Sequence, residues 1–391
     1  MNLSERLQEL EHWDQKGLRR RLPQARGQDS NLLQFSSNDY LGLSRHPEVI
    51  EAAIVATRNY GCGATGSRLL SGNWEPHEAL EAALANFKGT EEALLFNSGY
   101  SANLGILGGL VSPGDLVVGD KLNHASLIDA ARNSGGEARF FRHGDWERAK
   151  ELLEEHQKEH PEKARWLALD GVFSMDGCVV DLPRALEIAH DTQSSLLIDD
   201  AHSTGVLGET GRGTFEHFGL RPEAETHGLP GLIVMGTLSK ALGSAGAFAA
   251  TDSSTRELLL NRARPFVFST ALPPAVAAAS LASLRVLERE PGRVRALAQK
   301  ARAFRQALER HGAQVPQLDP TPIVPVALQH PERALSAAQR LRERAGIVAM
   351  AVRPPTVPPG TSRLRCTVTL DHSDEALEAA ARAIAAEVLH P

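Results

Sequence analysis

Lys240 stands in Gly236-Thr237-Leu238-Ser239-Lys240-Ala241-Leu242-Gly243, directly after the apolar run Leu232-Ile233-Val234-Met235. A strand that stops in a turn of small residues and then presents one amine can hold an aldehyde as a Schiff base. Burial or a nearby cation must first lower the amine's pKa. A lone lysine at a helix start is ordinarily a surface residue; the apolar strand before this one and its small neighbours weigh against that. A second run, Leu196-Leu197-Ile198, ends in Asp199-Asp200-Ala201-His202. A carboxylate such as Asp199 keeps a pyridine nitrogen protonated by opposite-charge stabilisation. The protonated ring then serves as an electron sink. His202 can hydrogen-bond a phenolic oxygen. Asp200 should leave the sheet on the opposite face, since side chains alternate along a strand. Taken together these groups read as a site for pyridoxal phosphate.

A phosphate needs donors. Asn97-Ser98-Gly99-Tyr100-Ser101-Ala102-Asn103 follows the apolar run 93–96 and opens a helix, and helix N-termini bind anions through free N–H groups. Gly99 permits close approach there, and Tyr100 can lie along the ligand; a plain strand-to-helix turn is the alternative. Thr237 and Ser239 add hydroxyls beside Lys240, and Ser269-Thr270 offers another pair. His124, in Leu122-Asn123-His124-Ala125-Ser126, can stack on a flat ring or merely cap a helix. Ser174 also follows a strand. The segment Gly61-Cys62-Gly63-Ala64-Thr65-Gly66 matches GxGxxG, but a helical pattern precedes it where a dinucleotide fold needs a strand. It reads as a glycine turn. Metal-site spacings and a GxxxxGK[ST] loop are absent from the sequence, and no metal is expected.

These residues must be carried by alternating strands and helices. Strands are expected at 93–96, 116–118, 139–141, 166–169, 196–199 and 232–235, with helices at 47–59, 74–88, 101–110 and 184–190. That alternation implies an α/β fold with a mostly parallel, helix-covered sheet. Ser4 is expected to cap a short first helix. After Pro273 the texture changes to a long Ala/Leu/Arg-rich helical pattern reaching about Gly312. Strands near 323–327 and 363–369 and a final Ala-rich helix complete a smaller α+β part. The division expected is an arm over 1–45, a large cofactor-binding domain over 46–275 and a small domain over 276–391. The 391 residues suit two or three domains. A formal charge of −6 with interspersed signs argues against a nucleic-acid surface. Three separated cysteines argue against a disulfide framework. No apolar run is long enough for a membrane, and the acid-bearing start lacks a secretory pattern; a cytoplasmic enzyme is expected.

The motifs LRRRLP (18–23), FSSNDYLGLS (35–44), GATGSRLLSG (63–72), FNSGYSAN (96–103), DKLNHAS (120–126), GVFSMDG (171–177), DDAHSTG (199–205), GTLSKALG (236–243), FSTALPP (268–274) and RPPTVPPGTSRLR (353–365) occur in that order. In this the chain resembles the α-oxoamine synthases, fold-type-I pyridoxal phosphate enzymes with an aspartate-aminotransferase-like fold. The resemblance runs nearly end to end. It implies Lys240 as the Schiff-base lysine, Asp199 as partner of the ring nitrogen, His202 and Ser174 at the phenolic oxygen, and His124 stacked on the ring and facing substrate. Gly99, Tyr100 and Thr237 would contact the cofactor, and Ser269 and Thr270 would reach the phosphate of the other subunit of a homodimer. Arg19, Asn38, Thr356 and Arg365 are similar to substrate-side positions, Arg365 as partner of the amino-acid carboxylate. Ser203 and Ser239 depart from the small residues often found there, each adding only a hydroxyl.

Within the family, the basic arm and the 353–365 segment favour a member that condenses L-alanine with a pimeloyl thioester, carried on CoA or acyl carrier protein. Arg19 would meet the far carboxylate of the acyl chain. A glycine C-acetyltransferase or another α-oxoamine synthase is the alternative member. A fold that has lost turnover and acts as a sensor, and a nucleotide-dependent oxidoreductase resting on the glycine turn, are the alternatives outside it.

Overall fold

The computed structural model describes residues 2–16, 18–20, 22, 32–225, 228–316 and 321–389. Arg21 and Pro23 of the basic arm lie outside them.

Seven strands form the main sheet: β1 Glu92–Phe96, β2 Leu116–Asp120, β3 Glu137–Phe141, β4 Arg165–Asp170, β5 Ser195–Asp199, β6 Leu232–Thr237 and β7 Ala247–Thr251. Their order is β1-β7-β6-β5-β4-β2-β3. Pairing is parallel from β6 to β3, while β7 runs antiparallel to both β1 and β6. Six strands therefore point the same way, and their C-terminal ends share one edge. In open α/β sheets that edge is where ligands collect. The inner strands are buried at every residue, which is why they read as apolar runs rather than alternating ones.

Six of the seven strands match the apolar runs to within two or three residues. The seventh, Ala-Phe-Ala-Ala-Thr, escapes notice because small residues dominate a strand whose two neighbours leave little room. Helices cover the sheet at Glu75–Lys88, Gly99–Leu110, Ala125–Asn133, Trp146–Glu159 and Leu182–Asp191. Proline in the first turn and a left-handed Gly89 after the last turn bound the 75–88 helix. Asn2, not Ser4, caps the first helix, with Glu5 closing a capping box. The Pro47–Tyr60 helix buries Val49 and Ala56, leaving Ile50, Ile54 and Val55 outward. The long pattern after Pro273 is two helices, Pro274–Arg289 and Gly292–Arg310, broken at Pro291.

A second core gathers Phe304, Leu308, Val324, Val326, Leu341, Leu364, Leu377 and Ile384. It includes the three-stranded antiparallel sheet β8 Ile323–Gln329, β9 Met350–Val352 and β10 Ser362–Thr367, with β10 in the middle. The Pro331–Ala345 helix, not expected from the sequence, packs there through Ala334, Ala337 and Leu341, a stripe too small and too interrupted by charge to stand out. Phe35 stacks on Phe304 and His372 at ring distances of 5.0 and 4.3 Å, and Leu33–Gln34 pairs with Ile347–Val348. The early chain is thus fastened into the second core, and Asn38 and Tyr40 are carried from there toward the sheet edge.

Asp200 leaves β5 on the face away from Asp199, as alternation requires. It meets Lys88 Nζ at 2.8 Å and the Thr214 hydroxyl at 2.5 Å, and Lys88 also donates to the Arg212 carbonyl at 2.6 Å. Both charged side chains are nearly fully buried. Lys88→Ala strands the carboxylate in a dry site and should lower stability by about 3–5 kcal/mol. Denaturant unfolding of the variant measures this; an unchanged midpoint would contradict it.

Candidate active site

The strand edge delivers one candidate after another. Gly99 follows β1, His124 follows β2, Ser174 follows β4, Asp199 and His202 end β5, and Thr237 and Lys240 end β6. Lys240 lies in the short link between antiparallel neighbours, where Thr237 pairs with Ala247. The link is hydrogen-bonded to itself: Leu238 N–H donates to the Gly246 carbonyl (2.9 Å), Ser244 N–H to the Leu238 carbonyl (2.9 Å) and Gly243 N–H to the Lys240 carbonyl (2.8 Å). Gly243 has φ +60°, and a Cβ there would meet the Ser44 amide at 2.2 Å, so this turn needs glycine on both counts.

Lys240 is half-buried. Loss of hydration lowers its pKa from 10.5 to about 8; Arg365 pushes the same way, while Asp199 and Asp170 oppose. Asp199 is buried, with Oδ2 accepting from Asn103 Nδ2 at 2.8 Å and Oδ1 from the Ala201 amide at 2.9 Å. Burial raises its pKa, and Lys240, these donors and His124 counter the rise. Asp170 pairs with Asp199 in register across β4 and β5. Burial first, and then the charge of Asp199, push Asp170 well up. Of two adjacent buried carboxyls, the negative charge therefore stays on Asp199.

Asn103 donates its second hydrogen to Ser126 Oγ at 2.9 Å, and Ser126 Oγ lies 2.7 Å from His124 Nδ1. The Ser126 amide also donates to that nitrogen. A backbone N–H can only donate, so Nδ1 is the acceptor and the ring hydrogen sits on Nε2. Burial lowers the His124 pKa, which keeps the ring neutral. His124 N–H donates to Asp170 at 2.7 Å, fixing the ring's base.

His202 is buried and held far below its usual pKa, by desolvation first and then by Lys240 and Arg365. Its Nδ1 lies 2.6 Å from the Tyr40 hydroxyl. The same hydroxyl lies 3.4 Å from Asn38 Oδ1, which also stands 3.4 Å from both terminal nitrogens of Arg365. Arg365, on β10, is buried and donates Nε–H to the Ser174 carbonyl at 2.6 Å and Nη1–H to Thr367 Oγ1 at 3.0 Å. The long contacts to Asn38 are weak, so the fork keeps capacity for a carboxylate.

Ser98 caps the Gly99–Leu110 helix, its Oγ accepting from the Ser101 amide. A Cβ on Gly99 would meet Thr237 Cγ2 at 2.8 Å, so this helix start and the end of β6 close together only with glycine. Tyr100 is partly exposed, its hydroxyl bound to Asp129 at 2.6 Å. These groups fit pyridoxal phosphate: an amine with lowered pKa, a buried carboxylate, two neutral imidazoles, and a glycine-opened helix N-terminus beside a threonine.

Other expected residues stand farther out. Ser269 and Thr270 lie on the turn after the Arg264–Val267 helix, where the Thr270 carbonyl accepts from Asn97 at 2.8 Å. Arg19 turns to Asp14 at 2.5 Å within its own arm. Arg20, its neighbour, meets the exposed Thr356 at 3.2 Å, and Arg353 donates to the Arg19 carbonyl. The arm and the 353–356 segment therefore do come together. Tyr40, Asn103, Ser126 and Asp170 were not singled out from sequence. Only Asn103 left a trace, as a lone amide in an otherwise apolar helix. The glycine turn at 61–66 follows a helix as expected, and Gly72 crosses so close that a Cβ would meet the Gly66 carbonyl at 2.0 Å. Its glycines serve backbone packing.

The chain belongs to the family described as aminotransferase class I and II, which residues 30–384 match. Among individual proteins, it is 42% identical over 388 residues to an 8-amino-7-oxononanoate synthase of Trichlorobacter lovleyi, spanning 98% of this chain and 96% of that one. It is 44% identical over 390 residues to the protein of the same name from Geobacter sulfurreducens, spanning 96% of each. A solved structure described as SPT with its PLP internal aldimine superposes with a TM-score of 0.88 at 29% identity, covering 99% of this chain and 98% of that one. The mostly parallel sheet flanked by helices is that of the fold-type-I enzymes.

The lowered pKa of Lys240 has a readable sign. Below pH 8 the amine is protonated and inert toward carbonyls; above it the neutral form predominates. Imine formation between the cofactor-free protein and an added aromatic aldehyde, with Lys240→Ala as blank, should rise through a midpoint near pH 8. A midpoint near 10.5 would mean the amine is solvated.

Proposed function

We propose that this chain condenses L-alanine with a pimeloyl thioester, on CoA or acyl carrier protein, to give 8-amino-7-oxononanoate, the free thiol and carbon dioxide. The reading is carried by near-full-length identity of 42–44% to proteins named for that product, together with a lysine of lowered pKa beside the buried Asp199. Pyridoxal phosphate, when bound, supplies an aldehyde that joins an amine and a ring that takes up electrons released at Cα.

Lys240 is assigned to the aldehyde and, once alanine has displaced it, to proton traffic at Cα. A pKa near 8 leaves enough neutral amine for a base and enough protonated amine for an acid. Asp199 is assigned to the ring nitrogen; its carboxylate already carries two donors, so it is oriented in advance. His124 is assigned to the ring face, His202 and Ser174 to the phenolic oxygen, and Gly99, Tyr100 and Thr237 to the cofactor's remaining contacts. Arg365, with Asn38, is assigned to the alanine carboxylate, a pairing suited to a guanidinium fork. Overall a Cα–H bond, the Cα–carboxylate bond and the thioester C–S bond break, a Cα–C bond to the acyl carbon forms, the carboxylate leaves as carbon dioxide, and protons end on Cα and on the departing thiol. Arg19 and Thr356 are assigned to the far end of the acyl chain, where Arg20 now holds Thr356.

The same reading assigns 46–275 to a large cofactor-binding domain, 276–391 to a small one and 1–45 to an arm. It places the enzyme in the cytoplasm, in keeping with three free cysteines. It also makes the active unit a homodimer in which Ser269 and Thr270 serve the partner's phosphate. Supporting this, Phe268 beside them is 70% exposed and Leu70 is 83% exposed, while Ile50, Ile54 and Val55 form an outward apolar strip. Sedimentation of the purified protein should give twice the chain mass; a monomer with full activity would refute the sharing.

Turnover decides the substrates. The cofactor-loaded protein should convert alanine and pimeloyl-CoA far faster than glycine and acetyl-CoA, and Lys240→Ala should abolish conversion. Preference for glycine and acetyl-CoA would move the chain to the glycine C-acetyltransferase reading. Arg365→Ala should raise KM for alanine about tenfold to a hundredfold, the worth of one charge-assisted hydrogen bond, with KM for the thioester little changed.

A further inference from the structure

Three side chains outside the Lys240 site line up on the outer flank of the strand edge. Asp120 ends β2, His143 follows β3, and Cys178 closes the turn after β4. Asp120 Oδ2 lies 2.8 Å from His143 Nδ1, and His143 Nε2 lies 3.7 Å from Cys178 Sγ. Each ring nitrogen thus faces a different partner, so the imidazole bridges carboxylate and sulfur and does not chelate with them. Asp120 is buried and also accepts the Leu122 amide at 2.7 Å, so it cannot drift from the ring. Phe173 packs edge-on against the imidazole at 4.5 Å. The Phe173 amide donates to the Cys178 carbonyl at 3.0 Å, and the Gly177 amide to the Phe173 carbonyl at 2.8 Å. Sulfur and ring are therefore held by one hairpin.

We propose that Cys178, set against His143 and Asp120, is a nucleophilic thiol that exchanges with small-molecule disulfides. A sulfur beside an imidazole that is itself oriented by a carboxylate is the arrangement that activates cysteine nucleophiles. His143 is held at about 10, mainly by Asp120 and then by Cys178; it keeps its proton at neutral pH and offers an N–H toward the sulfur. The exchange balances: Cys178 Sγ bonds to one sulfur of the disulfide, the old S–S bond breaks with its electron pair on the other sulfur, and the thiol proton ends on that departing thiolate. The other two cysteines supply internal controls. Cys62 is exposed and Cys366 is buried, its thiol pushed up to about 12.

The test treats cofactor-loaded protein with limiting dithiobis(nitrobenzoate), an aromatic disulfide, and maps the adduct by peptide mass. Cys178 should load first although Cys62 is the more exposed. In Cys62→Ser protein, release of the nitrobenzoate thiol from Cys178 should be at least about tenfold faster than from Cys62 in Cys178→Ser protein. His143→Gln should remove that advantage without changing the rate at Cys62. Loading of Cys62 before Cys178 overturns the proposal. So does a His143→Gln variant that is folded, judged by an intact cofactor absorbance, and still reacts at the original rate. If that variant does not fold, the order of loading in the unaltered protein decides.

Discussion

An amine that must shed its proton near neutral pH cannot sit opposite two full negative charges. Each carboxylate would hold the proton in place. In this chain the conflict is resolved one residue further out. Asp170 and Asp199 lie side by side in register across two strands, and burial raises the pKa of both, Asp170 the further. Asp199 takes the charge because Asn103 and the Ala201 amide donate to it. Asp170 gives it up and orients the backbone of His124. Dehydration then outweighs the remaining attraction, and Lys240 becomes a usable base. Neutral His124 and His202 follow from the same shortage of water around the site.

The main sheet and the second core meet at this point. The main sheet delivers Lys240, Asp199, His124 and His202 from its strand ends, whereas Arg365 comes from β10 in the second sheet. Arg365 reaches across to the Ser174 carbonyl, and the turn that carries Ser174 is itself fastened to the second core: Asp176 pairs with Arg363, and the Gly177 carbonyl accepts from Thr321 at 2.8 Å. The Arg365 guanidinium and the amine are therefore aligned by packing between the main sheet and the second core rather than by either alone. Asn38 and Tyr40 complete the junction from a segment anchored through Phe35.

What the sequence revealed follows from where each signal resides. Apolar runs disclosed six strands, most plainly the inner parallel ones, because strands buried on both faces have no polar face to blur them. The antiparallel β7 and the 331–345 helix stayed hidden, since alanine carries little periodicity. Lys240, Asp199, His124 and His202 could be picked out because each directly follows a strand, and strand ends are where chemistry gathers. Their supports could not. Tyr40 lies 162 positions from His202 and Asn103 lies 96 from Asp199, and no local pattern records such pairings. The row of Asp120, His143 and Cys178 was invisible for the same reason, as sequence separates its cysteine from its histidine by 35 positions. At the arm, the motif pointed to the place where Arg20 meets Thr356 and Arg353 meets the Arg19 carbonyl.

The link carrying Lys240 is clamped at both ends by a strand pair, stitched across its middle, and seated on the Ser44 backbone. Such a mount has no hinge. Whatever travel the amine makes between one bonding partner and the next must be spent in the four torsions of a single side chain, motions that belong to picoseconds and nanoseconds. The amine is thus carried like a swinging arm on a fixed post.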